Sequence, residues 1–291
     1  MDFPEKFWKF PPNRESFARL FRYVGPLSTL TVFAALATIY VRSQVIHELG
    51  LEANGIYQVV YAISLAYMGL VYNAFNAFGL PKVTELLDDP GKIRRVQNDE
   101  LRLGLLILCP LVLFAMTTRS LWIPILYSQA FLPAVSFLIW QFIADILRML
   151  RLTMNISLIP LDRFRFILVG GLVDWVGWSL LATILIPIMG IAALPFSYML
   201  IALLSLIIAY VYHRRSTTYG IYRPNKRLLL KAAGLVLPGL FFAQWGVNPW
   251  VKYVLPSILI LVMLLWMPSG EEYSQLLAFV KEGINKLRKK R

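Results

Sequence analysis

The stretch VGPLSTLTVFAALATIYV, Val24–Val41, runs for eighteen residues without a charge and is bracketed by Arg22 and Arg42. A helix rising about 1.5 Å per residue needs roughly twenty residues to cross a bilayer core, so this run reads as a membrane span. Working outward, further apolar runs follow at Gly55–Leu80, Leu103–Thr118, Phe131–Pro160, Phe166–Pro187, Ile191–Tyr212, Ala232–Val247 and Val254–Met267. The expectation is an all-α, polytopic transmembrane helix bundle of about eight spans.

The distribution of charge sets the orientation. With the N-terminal segment as side one, 24 of the 29 Lys and Arg fall on that side, while Arg42, Arg119 and Lys252 face the other and Arg148 and Arg151 lie within the fourth run. The positive-inside rule then makes side one the cytoplasm, with both termini there. A content of 58% hydrophobic and 15% charged residues is far from the soluble average, in which about a quarter are charged. The net charge of +13 is accounted for by basic loops facing anionic headgroups, and membrane lipids rather than nucleic acid are the partners it calls for.

The division expected along the chain is a lead-in over 1–22, a six-helix lobe over 23–213, a basic loop over 214–231, a terminal helix pair over 232–267 and a basic amphipathic tail over 268–291. The first run is too long for a usual signal-peptide core and is read as a retained span. The tail, with Leu276, Phe279, Val280, Ile284 and Leu287 among charges, should lie on the membrane. Its last five residues read equally as a solvated end.

No catalytic constellation is visible, so the chain is read as a non-enzyme without a cofactor. His47 and His213 fall on opposite sides of the membrane in this topology, and the single Cys109 leaves no zinc-type ligand set and no intramolecular disulfide. A Gly-rich phosphate loop followed by Lys is missing. Glu85, Asp88, Asp89, Asp99 and Glu100 crowd one basic loop and read as a solvated face.

Ionisable groups inside hydrocarbon are costly and usually face a bundle interior or a wet cavity. At about 100° per residue, Gln141, Asp145, Arg148, Arg151 and Asn155 share one face of the fourth run. Asp145 and Arg148 stand three apart and can pair, whereas Arg151 has no acidic partner on its own helix. A guanidinium in that position suits an anion, because its planar fork matches phosphate oxygens. The alternative is a span that ends near Ala144, with the arginines snorkelling at the interface. In the second run Gln58, Tyr61, Tyr72, Asn73 and Asn76 form an uncharged stripe suited to a polyhydroxylated ligand, or to interhelical hydrogen bonding. Arg42, at the outer end of the first span, holds an anion or anchors at headgroups. Asp174 carries a coupling proton or partners an arginine of the fourth run. Prolines at 26, 110, 133, 195, 238 and 256 punctuate the runs, as membrane helices tolerate generally.

Two stretches carry a family resemblance. LGLEANGIYQVVYAISLAYMGLVYNAFNAFGLPKVTEL, Leu49–Leu86, holds a loop Gly, the pair Tyr57 and Gln58, then Ser64 and Tyr67, and a closing Leu80 and Pro81. FLIWQFIADILRMLRLTMNISLI, Phe137–Ile159, has Asp145 followed three residues later by Arg148. Over Leu20–Arg215 the order and spacing resemble the C-terminal half of polysaccharide and O-antigen flippases of the multidrug/oligosaccharidyl-lipid/polysaccharide exporter superfamily.

The resemblance implies a fourteen-helix carrier of two six-helix lobes around a central cavity, of which this chain would supply helices seven to fourteen. A separate chain or a second copy would then provide the other wall. The implied activity is movement of an undecaprenyl-diphosphate-linked oligosaccharide across a bacterial inner membrane, with arginines on the diphosphate and amide and phenol groups on the sugars. Two other readings stand beside it: a drug/cation antiporter of the same superfamily, which should favour acidic cavity residues, and a truncated remnant that inserts but moves nothing.

Overall fold

The computed structural model describes residues 14–268 apart from 218, 247 and 249. The lead-in expected over 1–22 therefore falls largely, and the tail expected over 268–291 almost wholly, outside the described residues. All regular structure among those described is helical: α1 (Arg14–Glu85), α2 (Pro90–Leu126), α3 (Leu138–Asn155), α4 (Phe164–Met189), α5 (Ala193–Ser216), α6 (Arg223–Trp245) and α7 (Leu255–Trp266). Four helical stretches are long and apolar enough to cross a membrane, or five when the bent pair Gln129–Ser136 and Leu138–Asn155 counts as one. Each apolar run read from the sequence is helical over most of its length.

α1 joins two of those runs without a loop. Its apolar part, Val24–Glu85, has 62 residues, about 93 Å at 1.5 Å per residue and roughly three times the hydrocarbon thickness. The continuity is broken at Gly50, whose φ of 88° and ψ of 171° are non-helical and belong to a region that only glycine occupies freely. The chain folds back there: Arg42 reaches Gln58 at 2.8 Å, and Leu30 of the first arm lines the same cavity as Tyr72 and Asn76 of the second. A second hairpin joins α4 and α5 through Gly190 (φ 59°). Its arms are held by Trp178 donating to the Leu194 carbonyl at 3.2 Å and by Phe166 stacked on Tyr212 at 3.8 Å.

Helix contacts rest on small residues and interior carbonyls, since lipid offers no hydrophobic drive for helix association. Gly104 of α2 faces Met149 and Phe75, Gly171 of α4 faces Leu30, and Gly239 of α6 faces Leu113, each with no room for a β-carbon unless the facing side chain shifts. α2 and α6 run parallel: Asn98 is bonded to Asn225 at one end, and Arg119 reaches the Ala243 carbonyl at 2.8 Å at the other.

Several expectations about polar segments need correcting. The basic stretch between Lys82 and Arg102 is not a loop but mostly the last turn of α1 and the first turns of α2, which begins at Pro90 under an Asp89 cap that accepts from the Gly91 and Lys92 amides at 3.0 and 3.1 Å. Likewise α6 begins at Arg223, so much of 214–231 is helical. Hydropathy marks only the part of a helix that lipid would bury, and these helices continue past it. Glu100 is 7% exposed rather than solvated. Arg119 is 3% exposed inside α2 rather than in a loop, because its guanidinium finds the Met116 and Ala243 carbonyls.

Candidate functional site in the bundle interior

The polar face predicted on the fourth run turns into the bundle, with Gln141 and Asp145 buried and Arg148, Arg151 and Asn155 half-buried. α3 continues unbroken from Leu138 to Asn155, and its five polar side chains turn successively toward three neighbouring helices. Nearest the helix start, Gln141 and Asp145 meet the second arm of α1. Asp145, with no exposed surface, accepts from Ser64 Oγ at 2.6 Å, from the Tyr67 hydroxyl and, at 3.4 Å, from Gln141 Nε2. Gln141 Nε2 also donates to Ser64 Oγ at 3.0 Å. Three donors around one carboxylate offset much of what burying it costs.

One turn on, Arg148 faces α5. Its guanidinium donates to the Tyr198 hydroxyl and lies 5.0 Å from the centre of that ring and 5.9 Å from the Tyr72 ring. The Asp145 carboxylate is 4.0 Å away, the outer limit of an ion pair. Arg148 thus rests mainly on aromatic faces, whose quadrupoles attract a cation without neutralising it.

Arg151 faces α4, and here the sequence reading is revised. Its fork is filled: Nη1 and Nη2 donate to the two carboxylate oxygens of Asp174 at 2.8 and 2.5 Å. Of the two roles weighed for Asp174, partnering an arginine of the fourth run is the one the geometry displays. Ser205 of α5 donates to the same carboxylate at 2.5 Å. At the helix end, Asn155 Oδ1 lies 3.1 Å from His213 Nε2. The arginines do not snorkel away from the bundle; their side chains are only 24% and 14% exposed and point at neighbouring helices.

A cavity of about 340 Å³ opens beside this seam. Tyr72 and Asn76 come from α1, Arg151 and Asn155 from α3, Asp174 from α4 and Ser205 from α5, over an apolar remainder that includes Leu30 and Ile208. Arg148 and Asp174 also border a smaller space of about 60 Å³ against Tyr198 and Trp175. Arg151 and Asp174 therefore form a paired, overall neutral wall, while Arg148 keeps a cation beside the smaller space.

The uncharged stripe of α1 is divided by the fold. Asn76 lines the main cavity and Tyr72 reaches both it and Arg148. Gln58 and Arg42 form a separate pair, with Gln58 Nε2 buried and unpartnered. Tyr61 is half-buried and packs against the Tyr57 ring at 6.3 Å. Asn73 is exposed and does not line the main cavity.

Sequence reasoning missed Tyr198 and Ser205. Their spacing of seven, continued eight residues later by His213, was the available signal: three polar groups on one face of α5 that meet Arg148, Asp174 and Asn155 in turn.

Residues 6–136 match the model of a family described as polysaccharide biosynthesis protein. That segment is thus similar to a polysaccharide biosynthesis family, and the long apolar helices suit a membrane protein. It covers Arg42, Gln58, Tyr61, Asn73 and Asn76 and stops before α3, so Gln141, Asp145, Arg148, Arg151, Asn155 and Asp174 lie beyond the matched segment. No curated protein and no solved structure matches the chain.

Proposed function

We propose that this protein is a non-enzymatic carrier that moves a lipid-linked oligosaccharide, of the undecaprenyl-diphosphate class used for O-antigen and related polysaccharides, across a bacterial inner membrane. The observation that carries the reading is the α3 seam, where two arginines sit in a helix bundle beside a cavity that also presents amide, phenol and hydroxyl groups. An arginine held by rings rather than by a carboxylate keeps its charge for a diphosphate. Amide and hydroxyl groups suit sugars, and the polyprenyl tail stays in lipid.

In this reading the two arms of α1, the α4–α5 hairpin and α2, α3, α6 and α7 make eight passes with both termini in the cytoplasm. The first arm of α1 is exposed or half-buried from Val24 to Tyr40, so that arm forms an outer wall of this bundle, while the second arm buries Val59, Val60, Ser64 and Met68 against it. The opposite wall of the pathway comes from another chain or a second copy. Alternating access then follows from differential binding to two states.

A cation antiporter is the second reading, and Asp145 in its cradle of hydroxyl groups is the observation that favours it. The two separate experimentally. Cells carrying Arg148→Ala, with insertion unchanged, should accumulate lipid-linked oligosaccharide on the cytoplasmic side, and native mass spectrometry of protein purified from its own membranes should retain a polyprenyl-linked glycan. Unchanged export together with drug sensitivity in Asp145→Asn would refute the flippase reading.

A further inference from the structure

We propose that a second cavity, at the end of the bundle where the basic segments gather, holds a phosphate-bearing ligand between Arg163 and Arg215. It encloses about 410 Å³ between the start of α2, the α3–α4 turn and the chain leaving α5. No residue lines both this cavity and the α3 cavity, and the inference does not depend on the transport reading.

The two arginines are placed by local structure. The α3–α4 turn is knotted by its own backbone: Leu161 N donates to the Ser157 carbonyl at 3.1 Å, Asp162 N to Ile159 at 3.1 Å and Arg163 N to Leu158 at 2.8 Å. Asp162 takes a left-handed φ of 55° there, a conformation that Asp tolerates better than most residues. Arg215 is in the last turn of α5. Beyond it Thr217 Oγ1 donates to the His213 carbonyl at 2.7 Å and accepts from Tyr219 N at 3.2 Å, and both Thr217 and Tyr219 line the cavity.

The lining chemistry selects the ligand. Among the lining residues Arg163 and Arg215 are the charged ones, and no carboxylate opposes them. Of the acids flanking the lining in sequence, Asp89 is committed to the α2 cap and to Lys92 at 3.3 Å, and Asp162, next to Arg163, is exposed and outside the lining. Both arginines are exposed and so remain available to an arriving anion. Guanidinium forks match phosphate oxygens in pairs. The floor, made by Leu87, Pro90, Ile93 and Leu161, is apolar and suits the glycerol and first acyl carbons of a lipid. Burial against the His213 ring raises the Tyr219 phenol above its ordinary pKa and keeps it a neutral donor.

The test uses the full chain in detergent, with unfolding followed by tryptophan fluorescence during titration of dihexanoyl phosphatidic acid, dihexanoylglycerol and inorganic phosphate. Phosphatidic acid should raise Tm saturably and dihexanoylglycerol should not. R163Q/R215Q should weaken the apparent Kd at least about tenfold, roughly the loss of one charge-assisted contact. R165Q/R214Q, which removes two neighbouring arginines outside the lining, should leave it within about twofold. If the double variant fails to fold, R215Q alone gives the same readout at an exposed position. Phosphate binding as tightly as the lipid identifies a soluble phosphate ligand; binding of phosphatidic acid alone identifies a lipid headgroup. Equal stabilisation by dihexanoylglycerol, equal loss in R165Q/R214Q, or no shift with either phosphate compound would overturn the proposal.

Discussion

Replacing Asp174 by Ala should destabilise the protein by about 2 kcal/mol, and the loss should be shared with Arg151. The magnitude follows from the geometry. Asp174 accepts two bonds from Arg151, at 2.8 and 2.5 Å, and one from Ser205 at 2.5 Å. Removing one partner of a fully buried ion pair costs about 3 to 5 kcal/mol, but interhelical polar couplings measured in membranes average about 0.6 and reach about 1.7 kcal/mol. The pair is 14% and 25% exposed beside a cavity, so water can reach the orphaned guanidinium and the cost falls between those limits. A double-mutant cycle of Asp174→Ala and Arg151→Ala, read by reversible unfolding in mixed micelles, should give a coupling of about 1 to 1.5 kcal/mol, with the double variant no less stable than Asp174→Ala alone. Additivity within about 0.3 kcal/mol, the value expected of independent sites, would refute the pairing and with it the neutral cavity wall.

Three further outcomes are expected. Gly50→Ala should cost about 1 to 3 kcal/mol, because no atom crowds the position and the whole penalty is the backbone conformation. Gly69→Ala, equally uncrowded but within regular helix, should be neutral or gain up to about 1 kcal/mol, so paired thermal melts should differ in sign or nearly so. Tyr67→Phe should cost about 1 kcal/mol through one lost hydrogen bond, and Asp145→Ala about 2 to 4 kcal/mol, since it leaves the Ser64 and Tyr67 hydroxyls without their acceptor and Gln141 with Ser64 alone; equal costs would argue against the cradle. The backbone hydrogen bond from Lys92, foremost, holds the Asp89 carboxyl below its ordinary pKa. Its contribution to the α2 start is therefore present above the usual carboxylate range, near pH 4, and lost as pH falls through it. Protection of the Gly91 and Lys92 amides against deuterium exchange should drop as pH falls below the ordinary carboxylate range, and Asp89→Ala should lack that dependence.

The helices were legible because hydropathy and charge report directly on what lipid can hold. The polar face of α3 was legible too, since a 3.6-residue period fixes which side chains share a side before any partner is known. Partners were not, because pairing across helices depends on register that no single segment encodes. Arg151 could be seen to lack an acid on its own helix, but only the α3–α4 contact brings Asp174 to it. Helix ends were misread for a related reason: a charge ends an apolar run without ending a helix, as Arg119 and the first turns of α2 and α6 demonstrate.

Arg119 and Arg148 together indicate which intramembrane cations deserve a functional reading. Both sit in apolar sequence and both are largely buried. Arg119 spends two donors on main-chain carbonyls, at Met116 in its own helix and Ala243 in α6, and it lines none of the cavities described above. It clamps the end of α6, where unsatisfied carbonyls and the helix dipole favour a cation. Arg148 instead meets two aromatic rings, stands at the limit of reach from Asp145 and borders open space. A guanidinium consumed by backbone acceptors has little left for a ligand, whereas one held by ring faces keeps both its charge and its outward donors. The distinction predicts different phenotypes: Arg119→Met should lower stability and leave export per folded molecule unchanged, while Arg148→Met should abolish export with a smaller loss of stability. The reverse pattern would place the ligand-facing role on Arg119 and refute the assignment to Arg148.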